Sequence, residues 1–364
     1  MDPRVRQHAE IVVNHSVEIQ EGDNVILDAH PVADDLVVAL HELIGDRGAN
    51  PLTLRQRTGK RALRAYLNAY EGEMDAPEHE QALVDAADVY ISVRADRNVT
   101  ELNDVDSEAM REYRLAHKPI RDARLSTRWV LTQYPAAGNA QLANMSTAEY
   151  ESFVWDAILR DWTEQRDFQA GMVDRLEAGD ELRLQSGDTT DLVLGLGENP
   201  VRNDWAQRNL PGGEVFTAPV PDRVEGEVLF DLPLYYEGKE IEDAWLQFDG
   251  GEVVDHRAGR NEELLGEILD TDDGARRLGE LGIGMNRGID QFTYNMLFDE
   301  KMGDTVHLAL GRAYEDTVAD GAERNDSAVH VDMIVDMSDH SSITIDGEIV
   351  QRNGVFAFED GFEG

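Results

Sequence analysis

The order of short apolar segments limits most strongly what this chain can fold into. In the first half, apolar stretches of strand length alternate with segments of helical periodicity. Strands that alternate with helices are typical of a parallel sheet covered by helices. The sequence therefore predicts an N-terminal α/β domain with a mostly parallel sheet. Its predicted strands are 24–28, 52–55, 89–93 and 128–132.

Helix signals occur between these strands. Asp2 is suited to cap a helix at the start of the chain, and 33–44 has the periodicity of a second helix. Ser146 and Glu149 form a capping-box pattern, which predicts the start of a long amphipathic helix that runs towards Arg166.

The pattern changes after about Leu176. The segments 181–184 and 191–194 alternate in polarity on either side of a turn at Gly187, which is typical of a hairpin. Later segments are mostly short strands with glycine-rich turns. The sequence predicts a C-terminal mixed α+β domain that is rich in strands and carries the catalytic site. The predicted domains are 1–176 and 177–364.

The charge balance is strongly acidic, with 74 Asp and Glu residues against 33 Lys and Arg residues and a net charge of −41. A field of this sign repels nucleic acid and anionic lipid, so neither is expected as a partner. The acids are spread through every segment, which predicts a solvated acidic surface. Molar salt shortens the Debye length to about 3 Å and would screen the self-repulsion. We therefore expect a protein from a salt-loving cytoplasm.

The chain contains no cysteine, which excludes disulfides, thiolate metal sites and cysteine nucleophiles. No apolar run reaches the roughly 18 residues that predict a membrane span. Residues 1–8 lack an apolar signal core, so we expect a cytoplasmic location.

Two polar residues interrupt an apolar strand pattern near the C-terminus. In 329–335, His330 and Asp332 alternate with valines and a methionine. Successive side chains of a strand point to opposite faces, so these two share one face. An imidazole beside a carboxylate on a rigid backbone is a good pair of metal ligands. The alternative is an edge strand with a solvated polar face.

A further histidine, His307, lies in another alternating segment. It faces away from Val306 and Leu308, and its small neighbour Ala309 leaves room around the imidazole. The commoner explanation for a single histidine in such a strand is a core residue with satisfied hydrogen bonds.

Two glutamates lie next to glycines. Glu214 follows a tight turn made by Pro211 and two glycines, and it begins an apolar stretch. Glu280 lies among glycines that allow close approach of the backbone. A carboxylate that loses water at such a point needs a positive partner. The alternative is a surface glutamate in a turn.

Taken together, these segments resemble the signatures of the thermophilic metalloprotease family of aminopeptidases. The resemblance covers nearly the whole chain. Its C-terminal motifs are 209–219, 278–284, 297–314 and 325–332, and its shorter N-terminal ones are 128–129, 134–135 and 143–146.

The resemblance implies the residues of the site. In the family, two metal ions are held by two glutamates, two histidines, an aspartate and a tyrosine. By motif these correspond to Glu214, Glu280, His307, Tyr314, His330 and Asp332. The resemblance also implies an N-terminal α/β domain, a C-terminal catalytic domain and a homodimer that encloses the sites.

Oxygen and nitrogen ligands without thiolate suit divalent Zn, Co or Mn. Two such ions about 3.5–4 Å apart can share a water, lower its pKa and stabilise a tetrahedral intermediate. One ion can also bind the free α-amine of a peptide, which would restrict cleavage to the N-terminal residue. The expected partners are therefore peptides with a free N-terminus.

The reaction also needs a general base. Glu300 is our candidate, because a carboxylate near the metals can carry the water proton to the leaving amine. Lys301 is one of only four lysines in the chain, and it is our candidate to polarise the carbonyl oxygen. The alternative is that Asp299, Glu300 and Lys301 form a structural ion cluster.

The expected function is a metal-dependent aminopeptidase that removes N-terminal residues through a water activated by two metals. Two other functions stay open. The same ions would serve another dinuclear hydrolase that acts on amides or phosphate esters. An inactive acidic binding protein of the same fold is the second alternative, although all six ligand types are retained.

Overall fold

A computed structural model describes residues 2–55, 59–236 and 238–363. The chain forms two compact units. The first comprises Met1–Arg160 and Ala206–Gly212, and the second comprises Asp161–Trp205 and Gly213–Gly364. The domain boundary expected near Leu176 stays a prediction.

Helices are concentrated in the first unit. The α-helices of the described residues are α1 (Pro3–Ile11), α2 (Asp34–Asp46), α3 (Lys60–Leu67), α4 (Glu78–Asp85), α5 (Ser107–Ala116), α6 (Lys118–Leu125), α7 (Ala137–Leu142), α8 (Thr147–Ile158), α9 (Trp162–Ala178), α10 (Glu262–Leu269) and α11 (Met296–Asp299). Among the residues that the structure covers, we find no helix with the length and apolar character needed to cross a membrane.

Strands dominate the second unit. The strands are β1 (Asn24–Ala29), β2 (Asn50–Arg55), β3 (Val89–Arg94), β4 (Arg128–Gln133), β5 (Glu181–Ser186), β6 (Thr190–Gly195), β7 (Arg202–Asp204), β8 (Asn209–Leu210), β9 (Glu214–Thr217), β10 (Val224–Phe230), β11 (Leu234–Tyr236), β12 (Lys239–Ile241), β13 (Ala244–Asp249), β14 (Glu252–Arg257), β15 (Leu278–Gly284), β16 (Thr305–Gly311), β17 (His330–Asp336), β18 (Ser341–Ile345), β19 (Glu348–Arg352) and β20 (Val355–Phe356).

The first unit contains a five-stranded sheet in the order β2-β1-β3-β4-β8. All of its neighbouring strands pair in parallel. The apolar side chains of β1 and β3 are buried, as expected for central strands that are covered on both faces. The predicted N-terminal α/β fold with a parallel sheet is confirmed.

Side-chain caps fix where α1, α8 and α9 begin. Asp2 accepts a hydrogen bond from the backbone N–H of Arg4 at the start of α1, and Ser146 closes the predicted capping box of α8. The prediction of one helix from there towards Arg166 is wrong. The chain leaves the helix at Leu159, and Asp161 then caps a separate helix, α9, by accepting from the first free backbone N–H groups.

The second unit is built on antiparallel sheets. One has eight strands in the order β14-β13-β10-β6-β5-β18-β19-β20, and another has five in the order β17-β16-β15-β9-β7. Apolar side chains from both sheets and from α9 and α10 form one continuous core. The expected strand-rich second half is therefore confirmed, including the hairpin of β5 and β6.

The five-stranded sheet of the second unit, β17-β16-β15-β9-β7, has two different faces. Residues such as Leu281, Leu308 and Met333 point into the apolar core. Because side chains alternate along a strand, the residues between them project from the opposite face. That face carries the two glutamates, the two histidines and the aspartate that the sequence analysis selected.

Candidate metal centre

Cross-strand register brings the polar residues together. Ala309 of β16 pairs with Glu280 of β15 on one side and with Asp332 of β17 on the other, so two carboxylates flank a small residue. His307, two residues earlier on the same face, pairs with Gly282. Three adjacent strands thus place their candidate metal ligands at neighbouring positions of the sheet.

The distances show a compact cluster. The Nε2 atom of His307 lies 3.1 Å from Glu280 Oε1. The Nε2 atom of His330 lies 3.4 Å from Asp332 Oδ1 and 3.9 Å from Glu280 Oε2. One ligand atom each from Glu280, His307 and Asp332 lie within 4.8 Å of one another, a spacing at which all three can hold one cation.

The position of His307 depends on Gly282, which the sequence analysis did not single out. A Cβ atom at Gly282 would lie 2.0 Å from the Cε1 and Nε2 atoms of His307, and the imidazole is fully buried. The sequence analysis assigned the space around His307 to Ala309. The missing signal was the spacing of Glu280 and Gly282, which places both on the same face of one strand.

Glu214 begins β9 and is only 5% exposed, so it is not a surface residue of a turn. The preceding Gly213 has φ +114°, and a Cβ there would lie 2.4 Å from the Cβ of Asn286. The backbone carbonyl of Glu214 accepts a hydrogen bond from the buried side-chain amide of Gln169. Its carboxylate atom Oε2 lies 3.6 Å from His307 Nε2.

Glu300 and Lys301 follow α11, and both lie close to Glu214. The ammonium of Lys301 is fully buried and lies 3.1 Å from Glu214 Oε1, and it also forms an ion pair with Glu300. The Glu300 side chain is 18% exposed, so it reaches the surface of the site while Lys301 does not.

Tyr314 and His330 lie next to each other, with ring centroids 4.8 Å apart. Tyr314 is 41% exposed. Partial burial and the nearby charges of Glu280 and Asp332 raise the pKa of its phenol. The Nδ1–H group of His330 donates to the carbonyl of Arg312 at 2.8 Å, because a carbonyl can only accept. This bond leaves Nε2 free to act as a ligand.

The carboxylates and imidazoles of the cluster shift each other's pKa values. Burial disfavours the charged form of both histidines, but the neighbouring carboxylates outweigh it and raise the pKa of His307 to about 9 and that of His330 to about 10. Burial raises the pKa of Glu214 and Glu280. Burial also opposes ionisation of Asp332, yet the His330 charge lowers its pKa to about 2. The cluster therefore attracts positive charge strongly.

Several oxygen and nitrogen atoms of this cluster that could bind a metal are buried and have no hydrogen-bond partner. Such atoms are costly unless an ion or a water satisfies them. They are Glu214 Oε2, Glu280 Oε2, His307 Nδ1 and Asp332 Oδ1. The donor set consists of carboxylate oxygens and imidazole nitrogens, which suit a divalent cation, so the residues fit the metal that the sequence led us to expect.

Comparison with known proteins shows which class of enzyme this chain resembles. The chain is 30% identical to Aminopeptidase 2 from Geobacillus stearothermophilus, with 97% of each chain covered. It is 28% identical to Aminopeptidase AmpS from Bacillus subtilis, with 98% of each covered. The solved structure of wild-type AmpT from Thermus thermophilus matches with a TM-score of 0.85 and 26% identity, covering 98% of this chain and 99% of that one. The chain is thus a metallo-aminopeptidase, a hydrolase that acts on peptide bonds.

The family follows from the same comparison. The model of the thermophilic metalloproteases, M29, matches residues 1–361, and the chain belongs to this family. The resemblance inferred from the sequence motifs is confirmed.

Proposed function

We propose that this aminopeptidase works with a pair of divalent ions held by the six residues of the family motif. The observation that carries the proposal is a group of buried ligand atoms, on Glu214, Glu280, His307 and Asp332, that have no hydrogen-bond partner. His330 and Tyr314 lie beside this group and complete the donor set. Zn, Co or Mn would suit these oxygen and nitrogen ligands.

When bound, two such ions supply an activated water and a Lewis acid for the peptide carbonyl. The residues of the chain hold the reaction in place around them. The β-sheet fixes the donors of Glu280, His307 and Asp332 on rigid backbone. The Arg312 carbonyl fixes the ring of His330 in one orientation.

Glu300 is our proposed general base. Its carboxylate accepts the proton of the attacking water and passes it to the leaving amine. The ion pair with Lys301 orients the carboxylate, while its partial exposure leaves it accessible. The role of Lys301 in polarising a substrate carbonyl stays a prediction. In the structure its ammonium is paired with the carboxylates of Glu214 and Glu300.

Peptides with a free N-terminus are the proposed substrates, since the relatives described above are named aminopeptidases. We further propose a cytoplasmic homodimer, as the family resemblance implies. Other dinuclear hydrolases and an inactive binding protein are not favoured by any of the relatives.

The test combines metal analysis with a substrate panel in molar KCl. We expect close to two divalent ions per chain, release of p-nitroaniline from aminoacyl-p-nitroanilides, and no release from N-acetylated counterparts. Turnover of p-nitrophenyl phosphate without turnover of the anilides would contradict the aminopeptidase proposal and indicate a phosphoesterase. Cleavage of the acetylated substrates would contradict the requirement for a free amine.

A matched pair of histidine variants tests the ligand set. His330→Ala is expected to lose metal and activity together. His340→Ala changes a histidine in the same unit whose side chain is 86% exposed, and it should keep both. Unchanged metal content in His330→Ala would remove His330 from the ligands.

A further inference from the structure

Lys301 is an unusual residue in this chain. Lysine is scarce, yet the side chain of Lys301 is fully buried. A buried ammonium needs close counter-charges, because its desolvation is otherwise very costly. Glu214 and Glu300 provide them. An ammonium is therefore built into one side of the donor cluster.

The donor cluster is consequently asymmetric. Glu214 shares its carboxylate with Lys301 through Oε1, so only Oε2, which has no hydrogen-bond partner, is left for an ion. Glu280 and Asp332 have no ion pair with any lysine or arginine in the described part of the chain, and their nearest cationic partners are His307 and His330.

We infer that the two metal positions are unequal and that Lys301 sets the difference, an inference that rests on the proposed two-metal function. The ion held by Glu280, His307 and Asp332 binds first and tightly. The ion that requires Glu214 binds second and more weakly. Lys301 is thus a positioning residue that controls how readily the second ion is held.

The reason is electrostatic. A divalent ion at Glu214 lies close to a fixed positive charge, in a region where little water screens the repulsion. It must also share one carboxylate with that charge. Glu300 offsets part of the effect, because its negative charge lies on the other side of the ammonium. Removal of the ammonium therefore favours the second ion, and removal of the Glu300 charge disfavours it.

The experiment titrates the metal-free protein with Mn²⁺ by calorimetry in molar KCl. We expect two classes of sites in the unchanged protein. In Lys301→Met the affinity of the second class should tighten at least about tenfold, and that of the first class should change less. Lys239→Met changes an exposed lysine of the same unit and should leave both classes unchanged.

A second variant keeps the inference testable if Lys301→Met does not fold. Glu300→Gln keeps the Lys301 ammonium but removes one of its two negative partners. The affinity of the second class of sites should therefore weaken, while that of the first changes little. Circular dichroism of both variants reports folding. Without metal, Lys301→Met should melt at a lower temperature than the unchanged protein, because Glu214 and Glu300 lose their shared cation. Addition of Mn²⁺ should raise the melting temperature of this variant more than that of the unchanged protein.

The outcomes separate this inference from the proposed function. Two ions of equal affinity in the unchanged protein would overturn the inference and leave the dinuclear site intact. A second class that weakens in Lys301→Met would also overturn it, since a structural role for Lys301 predicts that result. Binding of a single ion would refute the dinuclear proposal, and this inference with it.

Discussion

Replacing Gly282 by alanine tests how the His307 ligand is positioned. No left-handed φ is involved at Gly282, so the backbone accepts alanine and the effect is confined to the new Cβ atom. That atom would lie 2.0 Å from the imidazole, whereas ordinary contacts begin at 3.4 Å, so the ring must move by about 1.4 Å. The ring is fully buried, and overpacking of this kind costs about 1–3 kcal/mol.

The displacement should also abolish tight metal binding. Ligand distances in metal sites hold to within about 0.2 Å, which is far less than the required shift. We expect Gly282→Ala to lose most of its bound metal after dialysis and to unfold at lower denaturant concentration. Gly45→Ala is the control, because nothing lies within 4 Å of a Cβ at that position in α2. It should be neutral or stabilising by up to about 1 kcal/mol.

A double variant isolates the contact. In a His307→Ala background the clash is gone, so adding Gly282→Ala should cost less than about 0.5 kcal/mol. An equal cost in both backgrounds would show that the ring is not what Gly282 accommodates. Normal metal affinity in the single variant would refute the reasoning as a whole.

Three further predictions concern other properties of the protein. Burial lowers the pKa of His8 to about 3 from its ordinary 6.5, so the unfolded chain binds a proton there that the folded chain does not. Its contribution to stability is therefore complete above pH 6.5 and falls by about 3 kcal/mol by pH 4.5. His8→Gln should remove this part of the pH dependence of unfolding, which exposed His79→Gln should retain; equal slopes would contradict it. Glu300→Gln should keep the first metal but lose turnover of aminoacyl anilides, and near-normal turnover would exclude Glu300 as the base. The free energy of unfolding should fall on dilution from molar to millimolar KCl, because the net charge of −41 is then unscreened; constant stability would argue against a high-salt origin.

Local signals in the sequence were enough for much of the fold. The alternation in 329–335 predicts β17 and the shared face of His330 and Asp332, since a strand has a period of two. The capping box at Ser146 predicts the start of α8 for an equally local reason. The break before α9 was missed, although Asp161 has the residue type of a helix cap.

Contacts that depend on strand pairing could not be read in this way. Gly282 faces His307 because β15 pairs with β16 in one particular register. Lys301 meets Glu214 because the chain after α11 returns to the start of β9. Neither relation leaves a local pattern. The family motifs supplied the six ligand candidates, and Lys301 was a candidate for the site, but its pairing with Glu214 could not be predicted.

The register of β16 with β17 has a consequence for how such a site can arise or fail. A slip of one residue would turn His330 and Asp332 into the apolar core and present Val331 and Met333 in their place. An insertion within β17 would thus damage folding and metal binding in a single step. Because one pairing both builds the sheet and aligns the ligands, we expect these strands to tolerate substitutions better than insertions.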